Sequence, residues 1–188
     1  MNFYSEDIIN NIIDHFPLEK VLEEVEGFRN IVGYLVHMYS IHDFHYKYVN
    51  SLLLDEKVKV AFYCFDFYFD IFNCPTMLMY RKYLDKEKNE MNYYILLICT
   101  KYRFRSQGYG SKIMDGFVER VKEENKDKNY NKVKIILSSL EEAVLFYENY
   151  GFRWTRESLT DHPFLMGYEK YEEKKEYFIL ELLLHTLE

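Results

Sequence analysis

Residues 93–99 read Tyr-Tyr-Ile-Leu-Leu-Ile-Cys, an apolar and aromatic run that few positions in a fold can accept. Its length suits a strand better than a helix, and the lack of polar alternation predicts burial on both faces. The chain then turns cationic at Lys101, Arg103 and Arg105, and places Gly108 and Gly110 one residue apart. Ser111 opens a helical pattern in which Ile113, Met114, Phe117, Val118 and Val121 fall on one stripe. The order is strand, basic glycine loop, helix N-terminus.

That order has a physical use. The first turn of a helix leaves N–H groups unpaired and carries partial positive charge. Glycine lets the backbone approach a ligand closely, and together these features favour a phosphate. The plainer reading is a tight strand-to-helix turn that merely contains glycine. The loop is not a P-loop, because no Gly-Lys-Ser/Thr closes it. It is not a dinucleotide fingerprint either, since the third glycine's place is taken by Ile113.

Two motifs carry a resemblance. Arg105-Ser106-Gln107-Gly108-Tyr109-Gly110 resembles the acetyl-CoA loop of the GNAT acetyltransferases, Gln/Arg-x-x-Gly-x-Gly/Ala. The stretch Ala143-Val144-Leu145-Phe146-Tyr147-Glu148-Asn149-Tyr150-Gly151-Phe152 is similar to that family's Ala-x-x-x-Tyr-x-x-x-Gly-Phe element. Tyr147 follows Gly110 by 37 positions, an interval usual in the family. The likeness covers Tyr93 to the C-terminus, about half of the chain.

The resemblance implies an α/β (α+β) fold as one GNAT-like domain over residues 1–188, with the motif-bearing part at about 91–184. It implies a mixed, mostly antiparallel sheet flanked by helices, whose central parallel strand pair splays to hold CoA. Acetyl-CoA is the implied cosubstrate, with no metal. Arg105, Ser106, Gln107, Gly108, Tyr109, Gly110 and Ser111 then hold its pyrophosphate through backbone N–H groups. Arg105 acts there as a direct cation or as a brace. Ile98, Cys99 and Thr100 line the pantetheine arm, and the Thr100 N–H is placed to polarise the thioester carbonyl. Tyr147 corresponds to the general acid that protonates the departing thiolate; the plainer reading is one more aromatic between Phe146 and Tyr150. The sequence departs from the pattern twice. Tyr94 stands where some relatives carry a basic Glu, with Glu90 nearby in the preceding turn. Leu140 stands where many carry Asn, a contact left to Ser139. His37, His42, His45 and His162 are substitutes for the base by ordinary pKa, and ordered water is another route.

Composition narrows the partners. The net charge of −7 argues against a general nucleic-acid binder and is compatible with a cationic acceptor. The 19 Tyr and 15 Phe accompany much Asn, Lys and Ile, the residues of AT-rich codons, so tyrosine number alone argues no chemistry. Three cysteines, Cys64, Cys74 and Cys99, lack metal spacing and read as reduced core residues of an intracellular, cytoplasmic protein, in the host cytoplasm if the source is viral. No apolar run reaches membrane-spanning length, and Met1 to Phe16 carries acids where a signal peptide would be apolar.

Along the rest of the chain, Ser5 caps an amphipathic helix ending near Phe16-Pro17. Residues 18–28 suit a second short helix, 31–39 a strand and 42–54 a helix. Val58 to Cys64 alternates as a strand, Asn73-Cys74-Pro75 is a turn, and 76–83 is a strand before a polar hairpin at 85–89. The helix from Ser111 runs to about Glu124, and Val133 to Leu137 is the next strand. Ser139-Leu140-Glu141-Glu142 has the form of a capping box, and Gly151 stands at the C′ position of the helix that follows. Residues 152–157 and 177–184 are the last strands.

Three functions fit. The first is an N-acetyltransferase in which a primary amine attacks acetyl-CoA directly in a ternary complex. Its acceptor is a small amine or polyamine, or a protein lysine or N-terminus; neither nucleic acid nor membrane is a partner, and a homodimer is left open. The second is a non-catalytic CoA-binding module on the same fold. The third is an unrelated phosphate-binding α/β protein.

Overall fold

The computed structural model describes residues 12–17, 52, 55, 57–64, 74–166 and 176–186. Its elements are β1 (Ile12–Pro17), β2 (Val58–Tyr63), β3 (Thr76–Asp85), β4 (Glu90–Thr100), a 3-10 turn at Tyr102–Phe104 and α1 (Tyr109–Asn125). There follow β5 (Lys132–Leu140), α2 (Glu141–Glu148), β6 (Arg153–Trp154), a 3-10 turn at Leu159–Asp161, α3 (Pro163–Met166) and β7 (Tyr177–Thr186). The elements expected over 18–39 lie outside the described residues, as does the 42–54 helix except for the buried, helical Leu52.

The helix expected to end near Phe16-Pro17 is corrected, because residues 12–17 form a strand. It pairs antiparallel with β2 from Ile12 opposite Tyr63 to Pro17 opposite Lys59, with a register shift between Asp14 and Phe16. Long-range pairing of β-branched Ile12 and Ile13 overrides the local helical spacing.

By contacts the chain divides into two compact units, one of Met1–Met79 and Leu97–Glu124, the other of Tyr80–Leu96 and Asn125–Glu188. In the first unit the strand order is β1-β2-β3-β4. Its core joins Val58, Val60 and Phe62 with Met77, Met79 and Leu97, together with the α1 stripe Ile113, Met114, Phe117 and Val121. Cys64 and Cys74, both fully buried, are bonded to each other. The expectation of three reduced cysteines is thereby corrected: the end of β2 and the residue before β3 bring two thiols together, and Cys99 alone is free.

In the second unit the order is β3-β4-β5-β7-β6. β4 and β5 run parallel from Glu90 opposite Lys132 to Ile95 opposite Leu137, while β5 with β7 and β6 with β7 are antiparallel. The sheet is therefore mixed around a central parallel pair, as the sequence implies. The parallel pairing ends at Ile95 and Leu137, although β5 continues to Leu140. β4 is longer than the apolar run that announced it, and its residues 92–97 are buried throughout. Glu90 accordingly belongs to the strand and not to the preceding turn.

Two local expectations change. Ser139 lies inside β5 opposite Phe178, so α2 begins without a side-chain cap and Ser139 Oγ donates to the Leu140 carbonyl at 2.9 Å. Sheet pairing holds Ser139 extended, and no capping box forms. The strand expected over 152–157 is only Arg153–Trp154.

Candidate active site

The glycine loop lies in the first unit and grows from the end of β4. There the Thr76 hydroxyl donates to the Cys99 carbonyl at 2.7 Å and accepts from the Thr100 hydroxyl at 3.1 Å. The Lys101 N–H donates to the Pro75 carbonyl at 2.8 Å. A 3-10 turn follows, closed by Phe104 N–H on the Lys101 carbonyl and Arg105 N–H on the Tyr102 carbonyl. Arg105 Nε donates to the Thr100 carbonyl at 3.3 Å, and its guanidinium lies 5.7 Å from the Tyr102 ring centre. Arg105 Nε thus ties the loop back to the last residue of β4. The Gln107 amide donates to the Arg103 carbonyl at 3.0 Å.

Ser106 and Gly108 take positive φ, 59° and 79°, which bends the loop into the helix. A Cβ at Gly108 would meet nothing within 4 Å, so the backbone is open there. Tyr109, Gly110 and Ser111 form the first turn of α1, which starts two residues before Ser111. Among the described residues, the N–H groups of Gln107, Gly108, Gly110 and Ser111 meet no protein acceptor. The Tyr109 ring is held against Tyr63 and Phe104, each 5.7 Å centre to centre, and Lys112 Nζ lies 5.0 Å over it. An open backbone, unpaired N–H groups and a helix dipole meet at one place. A pyrophosphate fits that set of donors.

Burial pushes the Cys99 thiol up to about 12, opposed by the Arg105 charge. It stays protonated and unreactive near neutral pH.

Ser139 and Tyr147 belong to the second unit. Tyr147 lies on α2, 8% exposed, with its ring edge-on to Phe146 at 5.1 Å and Phe152 at 5.7 Å. Its carbonyl receives the Phe152 N–H, and the Glu148 carbonyl receives the Gly151 N–H. With Gly151 at φ 89° this is a Schellman ending, so glycine closes the helix as foreseen. The motif's Gly-Phe thus fixes the turn from which Tyr147 is presented.

Neither β4 candidate suits a general base. Tyr94 is buried, and its phenol is pushed up to about 12, first by burial and then by negative charge at Tyr83, Asp85, Glu181 and Glu157. Glu90 pairs with Lys134 at 3.1 Å and Lys132 at 3.5 Å, while Lys134 also reaches Glu181 at 3.3 Å. Burial alone would lower the Lys134 pKa; hydrogen bonding and charge from Glu90 and Glu181 outweigh it and raise it. His162 Nε2 lies 2.8 Å from Glu157 Oε2. His37, His42 and His45 lie outside the described residues. The described residues contain no group of three or more His, Cys, Asp or Glu able to hold a metal, and no helix among them is long and apolar enough to cross a membrane.

The comparisons fall on the same segment. Residues 84–165 match the family model described as an acetyltransferase (GNAT) domain. No curated protein matches the sequence. Among solved structures, Tetrahymena GCN5 superposes with a TM-score of 0.56 at 14% identity, covering 88% of this chain and 93% of that one. The ribosomal-protein-S18-alanine N-acetyltransferase of Escherichia coli gives 0.54 at 13% identity, covering 85% and 91%. Arabidopsis thaliana Naa50, in complex with the bisubstrate analogue CoA-Ac-MVNAL, gives 0.51 at 16% identity, covering 92% and 98%. The fold is that of an acetyltransferase domain. Residues 84–165, under half of the chain, resemble the GNAT acetyltransferase domain, and the solved structures share the fold.

Proposed function

We propose that the chain is an N-acetyltransferase that moves an acetyl group from acetyl-CoA to a primary amine by direct attack in a ternary complex. The observation that carries this reading is the glycine loop, where unpaired N–H groups and an open Gly108 meet at the first turn of α1. Gln107 to Ser111 bind the pyrophosphate, Arg105 braces the loop, and Ile98, Cys99 and Thr100 take the pantetheine arm. Leu140 stands where many relatives carry Asn, and the neighbouring Ser139 takes over that contact. Naa50's complex with a CoA-linked peptide supports CoA as the cosubstrate and an amine as the acceptor class.

In the reaction the neutral amine attacks the thioester carbonyl and forms a C–N bond. Negative charge gathers on the carbonyl oxygen, where the Thr100 N–H stabilises it. The intermediate collapses with cleavage of the C–S bond. The sulfur takes the phenolic proton of Tyr147, the nitrogen releases its proton to water, and water returns a proton to the phenolate; burial keeps Tyr94 neutral, and Glu90 is paired with Lys132 and Lys134. The protonated Cys99 fits direct attack without an acetyl-cysteine intermediate. The Cys64–Cys74 bond removes the cysteine argument for a reducing compartment, so our placement of the enzyme in the cytoplasm rests on its supply of acetyl-CoA alone.

The test is mass spectrometry of bound CoA, followed by thiol-release assays over amine and peptide libraries. CoA bound and released with acetylated amine is the expected result. CoA binding without transfer to any amine would favour the non-catalytic module, and nucleotide binding without CoA binding would remove the loop's assignment.

A further inference from the structure

Ser138 holds a buried hydroxyl that makes no hydrogen bond among the described residues. Its neighbour Ser139 is satisfied through the Leu140 carbonyl, so the gap belongs to this position and not to serine in a strand. Buried polar atoms without partners are uncommon, and each asks for a cause. The position supplies one. Toward β7 the ladder continues, with Ser138 opposite Ile179. Toward β4 it has just ended, at Ile95 opposite Leu137. Ser138 is therefore the first β5 residue beyond the parallel pairing.

Strand alternation fixes the face. Ser138 shares one side of the second unit's sheet with Lys134 and Ile136 of β5, Tyr94 of β4 and Glu181 of β7. The other side carries Tyr93, Ile135, Leu137, Leu180 and Leu182. Against that side pack Asn125, whose amide donates to the Tyr93 hydroxyl at 2.8 Å, and Gly151, whose Cβ would lie 3.6 Å from Leu182 Cδ1. The residues that end α1 and α2 therefore occupy the face opposite Ser138.

We propose that Ser138 is an acceptor-binding residue whose hydroxyl oxygen accepts one N–H of the incoming primary amine. This rests on the acetyltransferase reading. A neutral primary amine has two N–H donors and one lone pair, so giving one N–H to Ser138 leaves the lone pair free to attack. The face suits a cation before it sheds its proton: Asp85, Glu157 and Glu181 all bear on Tyr94, with Lys134 already held between Glu90 and Glu181. The ligand class is therefore a primary amine entering from the side away from Tyr147's helix.

The experiment compares the parent, Ser138→Ala and Ser138→Thr. CoA affinity is measured by calorimetry, melting is measured without ligand, and KM and kcat are measured with spermidine, lysine and a tetrapeptide bearing a free N-terminus. Removing an unpaired hydroxyl should leave the melting temperature of Ser138→Ala unchanged or higher, and CoA affinity unchanged. Its acceptor KM should rise roughly tenfold, the size of one neutral hydrogen bond, with a smaller change in kcat. Ser138→Thr should restore most of the affinity. A lower melting temperature for Ser138→Ala means that the hydroxyl is satisfied within the fold, and overturns the proposal. So does an unchanged acceptor KM, or a loss confined to CoA. A parent that binds no CoA, or acetylates none of the three amines, brings down the acetyltransferase reading and this inference together. A parent that turns over while Ser138→Ala behaves identically brings down this inference alone.

Discussion

The Thr76 hydroxyl donates to the Cys99 carbonyl at 2.7 Å, two residues after Cys74 is bonded to Cys64. The disulfide thus anchors the segment that grips the end of β4. At its other end, Tyr63 precedes Cys64 and packs on Tyr109 of the glycine loop. Both cysteines adjoin residues that brace the loop.

Breaking that bond should loosen the loop as well as the fold. A Cys64→Ser, Cys74→Ser variant should lose about 2–3 kcal/mol, as expected for a closed loop of this size. CoA affinity should weaken severalfold, whereas Cys99→Ser should leave the loop's brace intact. Calorimetry with and without reductant, alongside thiol counting, checks this. Three free thiols in the unreduced native protein would remove the premise.

Gly108 combines positive φ with open space. Gly108→Ala meets no neighbour and should cost only about 1 kcal/mol of backbone strain. Gly108→Glu brings a carboxylate to the phosphate position and should abolish CoA binding while circular dichroism stays native. Equal CoA affinity for the parent and Gly108→Glu would contradict the loop's role.

Tyr94 gives a pH prediction. Its folded pKa of about 12 lies above the ordinary value of 10.0, so the folded state favours the neutral phenol. That stability is fully present below pH 10 and is lost as pH rises toward 12, an effect of roughly 1–3 kcal/mol. Tyr94→Phe should therefore show a shallower fall in stability over that window in denaturant titrations. Between pH 6 and 9 the rise of its rate with pH should match the parent's, and loss of that rise would make Tyr94 the base.

Much of this was legible from residues 93–152. The apolar run gave the buried strand, the glycine pair gave the loop, and Gly151-Phe152 gave the helix ending, because each motif encodes local backbone geometry. What was hidden depends on distant pairing. Ile12–Pro17 became a strand through β2, and Ser139 lost its capping role to Phe178 across the sheet. The Cys64–Cys74 bond and the Ser138 hydroxyl have no local signature. The first needs two strand ends to meet, and the second needs the point where the parallel pairing stops.

Tyr147 carries the last prediction. Its place is set by the Schellman turn, in which its own carbonyl receives the Phe152 N–H, and by aromatic contacts with Phe146 and Phe152. Tyr147→Phe retains the ring and those contacts, so melting should be nearly unaffected. A thiolate leaving without its proton donor should lower kcat by roughly 10²–10⁴. CoA affinity should change far less, because the hydroxyl acts mainly as charge develops on sulfur. Tyr150→Phe is the control, since Tyr150 packs on the same Phe146 ring at 5.5 Å but lies outside the motif position. It should retain activity. A solvent-viscosity series establishes whether chemistry limits kcat. If it does and Tyr147→Phe turns over at the parent rate, the thiolate departs unassisted or takes its proton from water, and Tyr147 is a packing residue.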